Sequence, residues 1–219
     1  VRQWVIPPQA SSAFVAAMED ILAVYATGEC PLVCLDETSK QPLADTRLPI
    51  AMKPGQLARR DYEYQRNGTA KFMIFAPLEA WRRVKVTDWR TAIDYAQALE
   101  DLSDRHFPNA KKIVLVQDNL NTHKPASLYE AFPAYKARRL VERFEWHYTP
   151  KHGSWLDMAE SELAVLASQC LDRRIPDKHI LIHQVAAWEA DRNAHQAKAD
   201  WQFTTDDARI KLKHLYPIF

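Results

Sequence analysis

The sequence predicts an α/β fold: a mixed five-stranded sheet flanked by helices on both faces. Three observations predict it. Two short runs, Leu32–Leu35 and Ile113–Gln117, are too apolar for half-exposed strands and read as central ones. Segments with apolar residues at helical spacing precede, separate and follow them. Between them lie three shorter stretches that read as successive antiparallel strands. One mixed sheet with helices on both faces fits this order.

Each element has its own signal. Trp4-Val5-Ile6-Pro7-Pro8 is an extended lead-in. A helix spans about Ser12 to Tyr25, with Phe14, Val15, Met18, Ile21, Leu22 and Tyr25 on one face and Gly28 past its end. Pro31 opens the first strand and Asp36 breaks its pattern. Residues 37–60 read as a loop. Tyr62 to Gln65 alternates, Asn67-Gly68 is a hairpin signal, and Ala70–Leu78 and Trp81–Val86 complete a meander. A helix covers about Asp88 to Arg105, and Ile113–Gln117 ends on Asp118. Pro125 opens a short helix, Pro133 to Arg143 forms another, and Phe144–Tyr148 is a last strand. A helix from about Trp155 to Leu171 carries the stripe Leu156, Ala159, Leu163, Leu166 and Cys170. Asp177 caps a long helix to about Ala199, with Ile180, Leu181, Val185 and Trp188 inward, and Thr204 or Thr205 caps a final one. A three-strand meander, then a helix and a fourth strand, matches the ribonuclease H-like fold. The expected division is a lead-in and helix (1–30), a core (31–172) and a helical extension (173–219).

Bulk composition excludes more than it selects. At 219 residues, 47% apolar and 26% charged, the chain has the make-up of a globular protein with a substantial core. No apolar run approaches the roughly 20 residues a membrane span needs, and no signal peptide is visible, so a cytoplasmic location and no membrane partner are expected. The net charge of +1 selects no partner. Cys30, Cys34 and Cys170 have no metal-like spacing and read as reduced thiols. The chain begins at Val1 rather than Met, as an excised piece of something longer would.

The chemistry lies in carboxylates. Asp36 and Asp118 tip two buried strands, and a helix after Tyr148-Thr149-Pro150-Lys151-His152-Gly153-Ser154-Trp155-Leu156-Asp157-Met158-Ala159-Glu160 offers a third. Like charges that close repel unless a cation lies between them. Mg²⁺ accepts one or two carboxylates plus water and phosphate. Two such ions about 3.5–4 Å apart can activate the attacking oxygen and stabilise the leaving oxygen of a phosphoryl transfer. Alone, an aspartate past a strand is as often a turn former or helix cap, and a helix glutamate usually lies on a solvated face. Glu160 and Glu162 both border the apolar stripe, so periodicity does not choose between them.

Four segments carry a resemblance: Leu35-Asp36-Glu37-Thr38-Ser39-Lys40, Arg66-Asn67-Gly68-Thr69, Val116-Gln117-Asp118-Asn119-Leu120-Asn121-Thr122-His123, and Pro150 through Glu160. Together they resemble bacterial insertion-sequence transposases of the branch related to the mariner elements (insertion sequence family six-thirty), with a DDE superfamily catalytic domain. The similarity runs over nearly the whole chain, through Asp206-Asp207-Ala208-Arg209-Ile210-Lys211-Leu212-Lys213. The resemblance implies a catalytic and metal-binding triad of Asp36, Asp118 and Glu160, with Glu160 chosen over Glu162. It implies two Mg²⁺ ions, with Mn²⁺ able to substitute. It implies hydrolysis of a DNA phosphodiester and attack of the freed 3′-hydroxyl on target DNA. The implied partner is double-stranded DNA, both the element's terminal inverted repeats and the target, engaged by a homodimer in a nucleoid-associated setting. The rivals are a ribonuclease H-like nuclease without strand transfer and a non-catalytic DNA-binding remnant.

Two departures from the family stand out. Asparagine is usual where this chain has Asp157, whose added charge could tighten metal binding or mis-set the phosphate. Helix-turn-helix modules usually precede the catalytic domain, and nothing before Trp4 could supply one, so poor recognition of element ends is expected. Asn119, His123 and Asp157 are candidates for a supporting shell around the triad. Arg82, Arg83, Lys85, Lys136, Arg138, Arg139 and Arg143 are candidates for phosphate contacts along a DNA path. His147 and His152 lack a metal-ligand spacing partner, and Gly153 and Ser154 shape the turn and cap the helix. Trp81, Trp89, Trp155, Trp188 and Trp201 read as core.

Overall fold

The computed structural model describes residues 6–7, 9–27, 31–77 and 80–217. Most of the lead-in, Gly28, Cys30 and the expected strand end at Leu78 lie outside them.

Helix α1 (Ser12–Thr27) buries Phe14, Met18, Ile21 and Leu22. Strand β1 (Leu32–Lys40) follows. It runs past Asp36, where a break was expected, because its antiparallel partner β4 (Ala70–Pro77) holds it from Val33↔Pro77 to Lys40↔Ala70. The parallel partner on its other side, β6 (Ile113–Gln117), stops at Leu35↔Gln117. Asp36 therefore sits where the sheet loses one neighbour and keeps the other.

The meander also differs from expectation. Strand β2 (Leu43–Asp45) pairs with β3 (Tyr64–Arg66) in a separate two-stranded ribbon. The meander in the main sheet is β1, β4 and β5 (Arg83–Thr87). Asn67 bonds instead to the Pro42 and Pro176 carbonyls, so Asn67-Gly68 closes no two-residue hairpin. Completed by β7 (Phe144–Tyr148), the main sheet has the order β5-β4-β1-β6-β7.

Strand alternation assigns each face. Leu32, Cys34, Phe72, Ile74 and Val116 pack into one apolar cluster with α1 and with α5 (Met158–Leu166), α6 (Lys178–Ala194) and α7 (Thr205–Lys211). Val33, Leu35, Met73, Phe75, Ile113 and Leu115 pack oppositely with α2 (Ala92–Asp101), α3 (Pro125–Ala131) and α4 (Ala134–Arg143). Each fully buried aliphatic or aromatic side chain contributes roughly 1.5–3 kcal/mol by leaving water. Helices thus cover both faces, as expected.

Helix ends show their causes. Thr91 starts α2 with a capping box to Asp94, and Thr204 starts α7 with one to Asp207. Asp177 caps α6, which ends at Ala194, short of the expected Ala199. Ile180 lies toward solvent, whereas Leu181, Val185 and Trp188 point inward. Trp89, expected in the core, is 73% exposed. Among the described residues no helix is long and apolar enough to cross a membrane.

Candidate metal and phosphoryl-transfer site

Asp36, Asp118 and Glu160 lie on the α5 side of the sheet, near enough for the last two to raise the Asp36 carboxyl. Asp36 alternates with Leu35 and so shares the face of Cys34. Asp118 follows Gln117, the last residue of β6, and neighbours Asp36 across the β1–β6 pair. Adjacent strands lie about 4.8 Å apart, which brings both carboxylates to one corner.

The turn that delivers Glu160 is built around Gly153. Its N–H donates to the Pro150 carbonyl at 2.8 Å. A Cβ at this position would stand 2.5 Å from the Pro150 ring, so only glycine fits. His152 beside it takes a left-handed backbone (φ 67°). A 3-10 turn, Ser154–Leu156, then leads to Asp157, whose Oδ1 accepts the Ala159 N–H at 2.9 Å. Asp157, not Ser154, is the cap of α5. Tyr25 of α1 ties the turn down by donating its hydroxyl to the Leu156 carbonyl at 2.6 Å. Glu160 lies in the first turn of α5, where the helix dipole favours a negative charge.

The structure separates the two glutamates that periodicity left equal. Glu162 is 7% exposed and locked between Arg82 (3.1 Å) and Arg192 (2.8 Å). Glu160 is exposed and within reach of Asp36's charge. Burial pushes the Asp36 carboxyl up to about 6, and the charges of Asp118 and Glu160 add to that push. The three are not closed into a coordination sphere: among the described residues no three acidic, histidine or cysteine side chains form a ready-made metal-binding group.

Asp157 is 3% exposed, and its Oδ2 has no hydrogen-bond partner. Burial, with the charges of Asp36, Asp118 and Glu160 beside it, drives its carboxyl far above the usual range. Asp157 serves as the cap of α5.

His123 is wholly buried behind Asp118. Its Nδ1 lies 2.5 Å from Asp118 Oδ1, and its Nε2 lies 3.1 Å from Glu37 Oε1. Burial alone would lower its pKa, but the two carboxylates outweigh it and hold the ring charged, at about 9. Sequence reading singled out His123 and missed Glu37, which looked like the neighbour of a key aspartate. The signal was alternation: if β1 continues, Glu37 must face opposite to Asp36.

Asn119 is exposed and lines a groove beside Asp118 with Lys151, His152 and Ser154. His147 pairs with Asp20 and Glu145, away from this groove. The basic residues fare unevenly. Arg82 is corrected: at 2% exposure it is a core residue, bound to Glu162, Asn193 and the Ala197 carbonyl. Arg83 pairs with Glu189, Lys85 with Asp101, Lys136 with Glu100, Arg138 with Glu142 and Arg139 with Asp104. Arg143 donates to the Ser103, Phe107 and Pro108 carbonyls.

The donor set suits a hard divalent cation. Asp36, Asp118 and Glu160 offer oxygen alone, as Mg²⁺ and Mn²⁺ prefer. Cys34 lies too deep to compete, its thiol pushed up by burial and by Asp157.

Comparison with known proteins identifies the family and the fold. A family described as DDE superfamily endonuclease matches residues 31–182. The fold is similar to the Mos1 transposase paired-end complex with left transposon end (TM-score 0.59, 13% identity, 90% of this chain and 61% of that one). It is similar to the Mos1 mariner paired end complex with Mn (TM-score 0.56, 16% identity, 90% and 61%). It is also similar to the catalytic domain of Mos1 mariner transposase (TM-score 0.53, 12% identity, 90% and 100%). The chain thus spans about 61% of the length of the first two. No curated protein matches the sequence.

Proposed function

The chain belongs to the DDE superfamily endonuclease family, and from that premise we propose that it is the catalytic domain of a DNA transposase. It cuts a phosphodiester at the element end and joins the freed 3′-hydroxyl to target DNA. The observation that carries this reading is that Asp118 and Glu160 lie near enough to Asp36 to raise its carboxyl, while Glu162 is sequestered.

Asp36, Asp118 and Glu160 would hold two Mg²⁺ ions, with Mn²⁺ as a substitute. When bound, such ions supply charge stabilisation to the attacking and leaving oxygens of an in-line displacement. The chain's own residues do the rest. Asp157 and Gly153 set the start of α5 and hence the position of Glu160. His123 fixes Asp118. Lys151 and His152, exposed along the groove beside Asp118, are placed to meet a backbone phosphate. Arg83, Lys85, Lys136, Arg138, Arg139 and Arg143 already have protein partners, so DNA would compete with or share them.

The working form is a homodimer on double-stranded DNA, binding terminal repeats and target, in the bacterial cytoplasm at the nucleoid. Residues 46–62 support an assembly: Leu48, Met52 and Leu57 are 94%, 72% and 86% exposed beside Arg47, Lys53, Arg59 and Arg60. Residues 31–172 are the catalytic core, with 1–30 and 173–219 as its flanks.

The test is nicking and joining of supercoiled plasmid with Mg²⁺ or Mn²⁺, beside metal-free and Asp118→Ala controls, plus a strand-transfer assay with precut ends. Metal-dependent nicking lost in Asp118→Ala, with joined product from precut ends, is expected. Nicking without joining would favour a nuclease alone. Nicking that survives Asp118→Ala would remove the site.

A further inference from the structure

We propose that Glu37 is a positioning residue for Asp118, acting through His123 from the far face of the sheet. This rests on Asp118 being a ligand in the site above. Asp36 and Glu37 are chain neighbours with opposite surroundings. Asp36 faces α5, whereas Glu37, its side chain 3% exposed, faces the side that α2 and α3 cover. There it meets His123 Nε2 at 3.1 Å, while Nδ1 of the same ring reaches round to Asp118.

Everything about this ring is fixed. Tyr95 stacks on it with centroids 4.8 Å apart. The Tyr95 hydroxyl donates to Gln117 Oε1 at 2.7 Å, and Gln117 Nε2 donates to the His123 carbonyl at 3.1 Å. The ring lies between the two carboxylates, with Nδ1 toward Asp118 and Nε2 toward Glu37. Glu37 thereby sets the orientation of the ring, and the ring sets Asp118. The hydrogen bonds that Asp118 accepts, from His123 and from the Leu120 N–H at 3.4 Å, both fall on Oδ1. That leaves Oδ2 for a cation. Groups that orient a metal ligand from behind change metal affinity or activity by about 10–100-fold when removed.

A role confined to folding would cost stability and leave metal affinity alone, so the test reads both. Glu37→Met keeps the side-chain volume and removes the acceptor, whereas Glu37→Gln keeps an acceptor oxygen. In metal-free protein, nitrogen NMR should show the His123 Nε2 resonance moved by Glu37→Met and largely restored in Glu37→Gln. In calorimetry with Mn²⁺ alone, Glu37→Met should bind about 10–100-fold more weakly, and Glu37→Gln should recover most of that loss. A His123 Nε2 resonance that Glu37→Met leaves unmoved overturns the proposal, because the contact then does not exist. So does a Glu37→Met protein that is folded and binds Mn²⁺ as the wild type does. Wild-type protein whose Nε2 resonance responds to Glu37→Met but that binds no Mn²⁺ overturns the metal site itself, and the role given to Glu37 falls with it.

Discussion

Glu160 and Glu162 stand two residues apart on α5 and belong to two unlike polar clusters. Around Glu162, charge is settled inside the protein: Arg82 and Arg192 flank it, and Asn193 and the Ala197 carbonyl take up the rest of Arg82. Around Glu160, charge is left over. The charges of Glu160 and Asp118 both bear on Asp36, Asp157 lies buried beside them, and His123 is shared with Glu37. A cluster complete in itself holds elements together, here β5, α5 and α6. A cluster with unmatched negative charge is arranged for something that arrives from outside.

The sharpest way to break this comparison is to empty each cluster in turn. Asp118→Ala and Glu160→Ala should abolish metal-dependent plasmid nicking while circular dichroism shows a folded chain; residual nicking in either would remove that residue from the site. Glu162→Ala should strand the buried Arg82 charge and destabilise the fold by about 3–5 kcal/mol in urea unfolding. A loss below about 1 kcal/mol would mean that the Arg82–Glu162–Arg192 cluster is not what secures α5.

Acid offers a milder separation. Asp36 holds its proton up to about pH 6 in the folded chain, against an ordinary value of 3.8. Without metal, this group favours the folded state at low pH, and the benefit fades as pH rises through about 6. With metal the sign reverses, because the cation needs the proton gone. Mn²⁺ affinity should therefore fall by up to about tenfold per pH unit below 6 and level off above it; calorimetry from pH 5 to 8 would show a flat profile if Asp36 takes no part. The smallest effect belongs to Asp157→Asn. An amide of the same shape keeps the capping oxygen and should move Tm at pH 7 by less than about 4 °C, equivalent to about 1 kcal/mol. A larger drop would mean that the carboxyl is ionised and works as a charged cap.

The central strands were legible because their apolar runs are short and unbroken, and Asp118 stood out as the residue that ended one. The tail of β1 was not. Asp36 through Lys40 carries no apolar residue, and only its pairing with β4, thirty-eight positions later at Asp36↔Ile74, makes it a strand. Glu37 was hidden for the same reason. Arg82 was misplaced because a basic residue on a short strand looks solvated, and its partner Glu162 is far along the chain. Glu160 was chosen over Glu162 by resemblance; its physical distinction, freedom from any arginine clamp, appears only once α6 lies against α5.

The mid-strand setting of Asp36 has one more consequence. Asp36 hangs from backbone laddered to β4, Asp118 stands on a loop, and Glu160 stands in the opening turn of a helix. Each carboxylate of the trio is thus held by a different device: Asp36 by strand pairing, Asp118 by the ring of His123 behind it, and Glu160 by the capped start of α5.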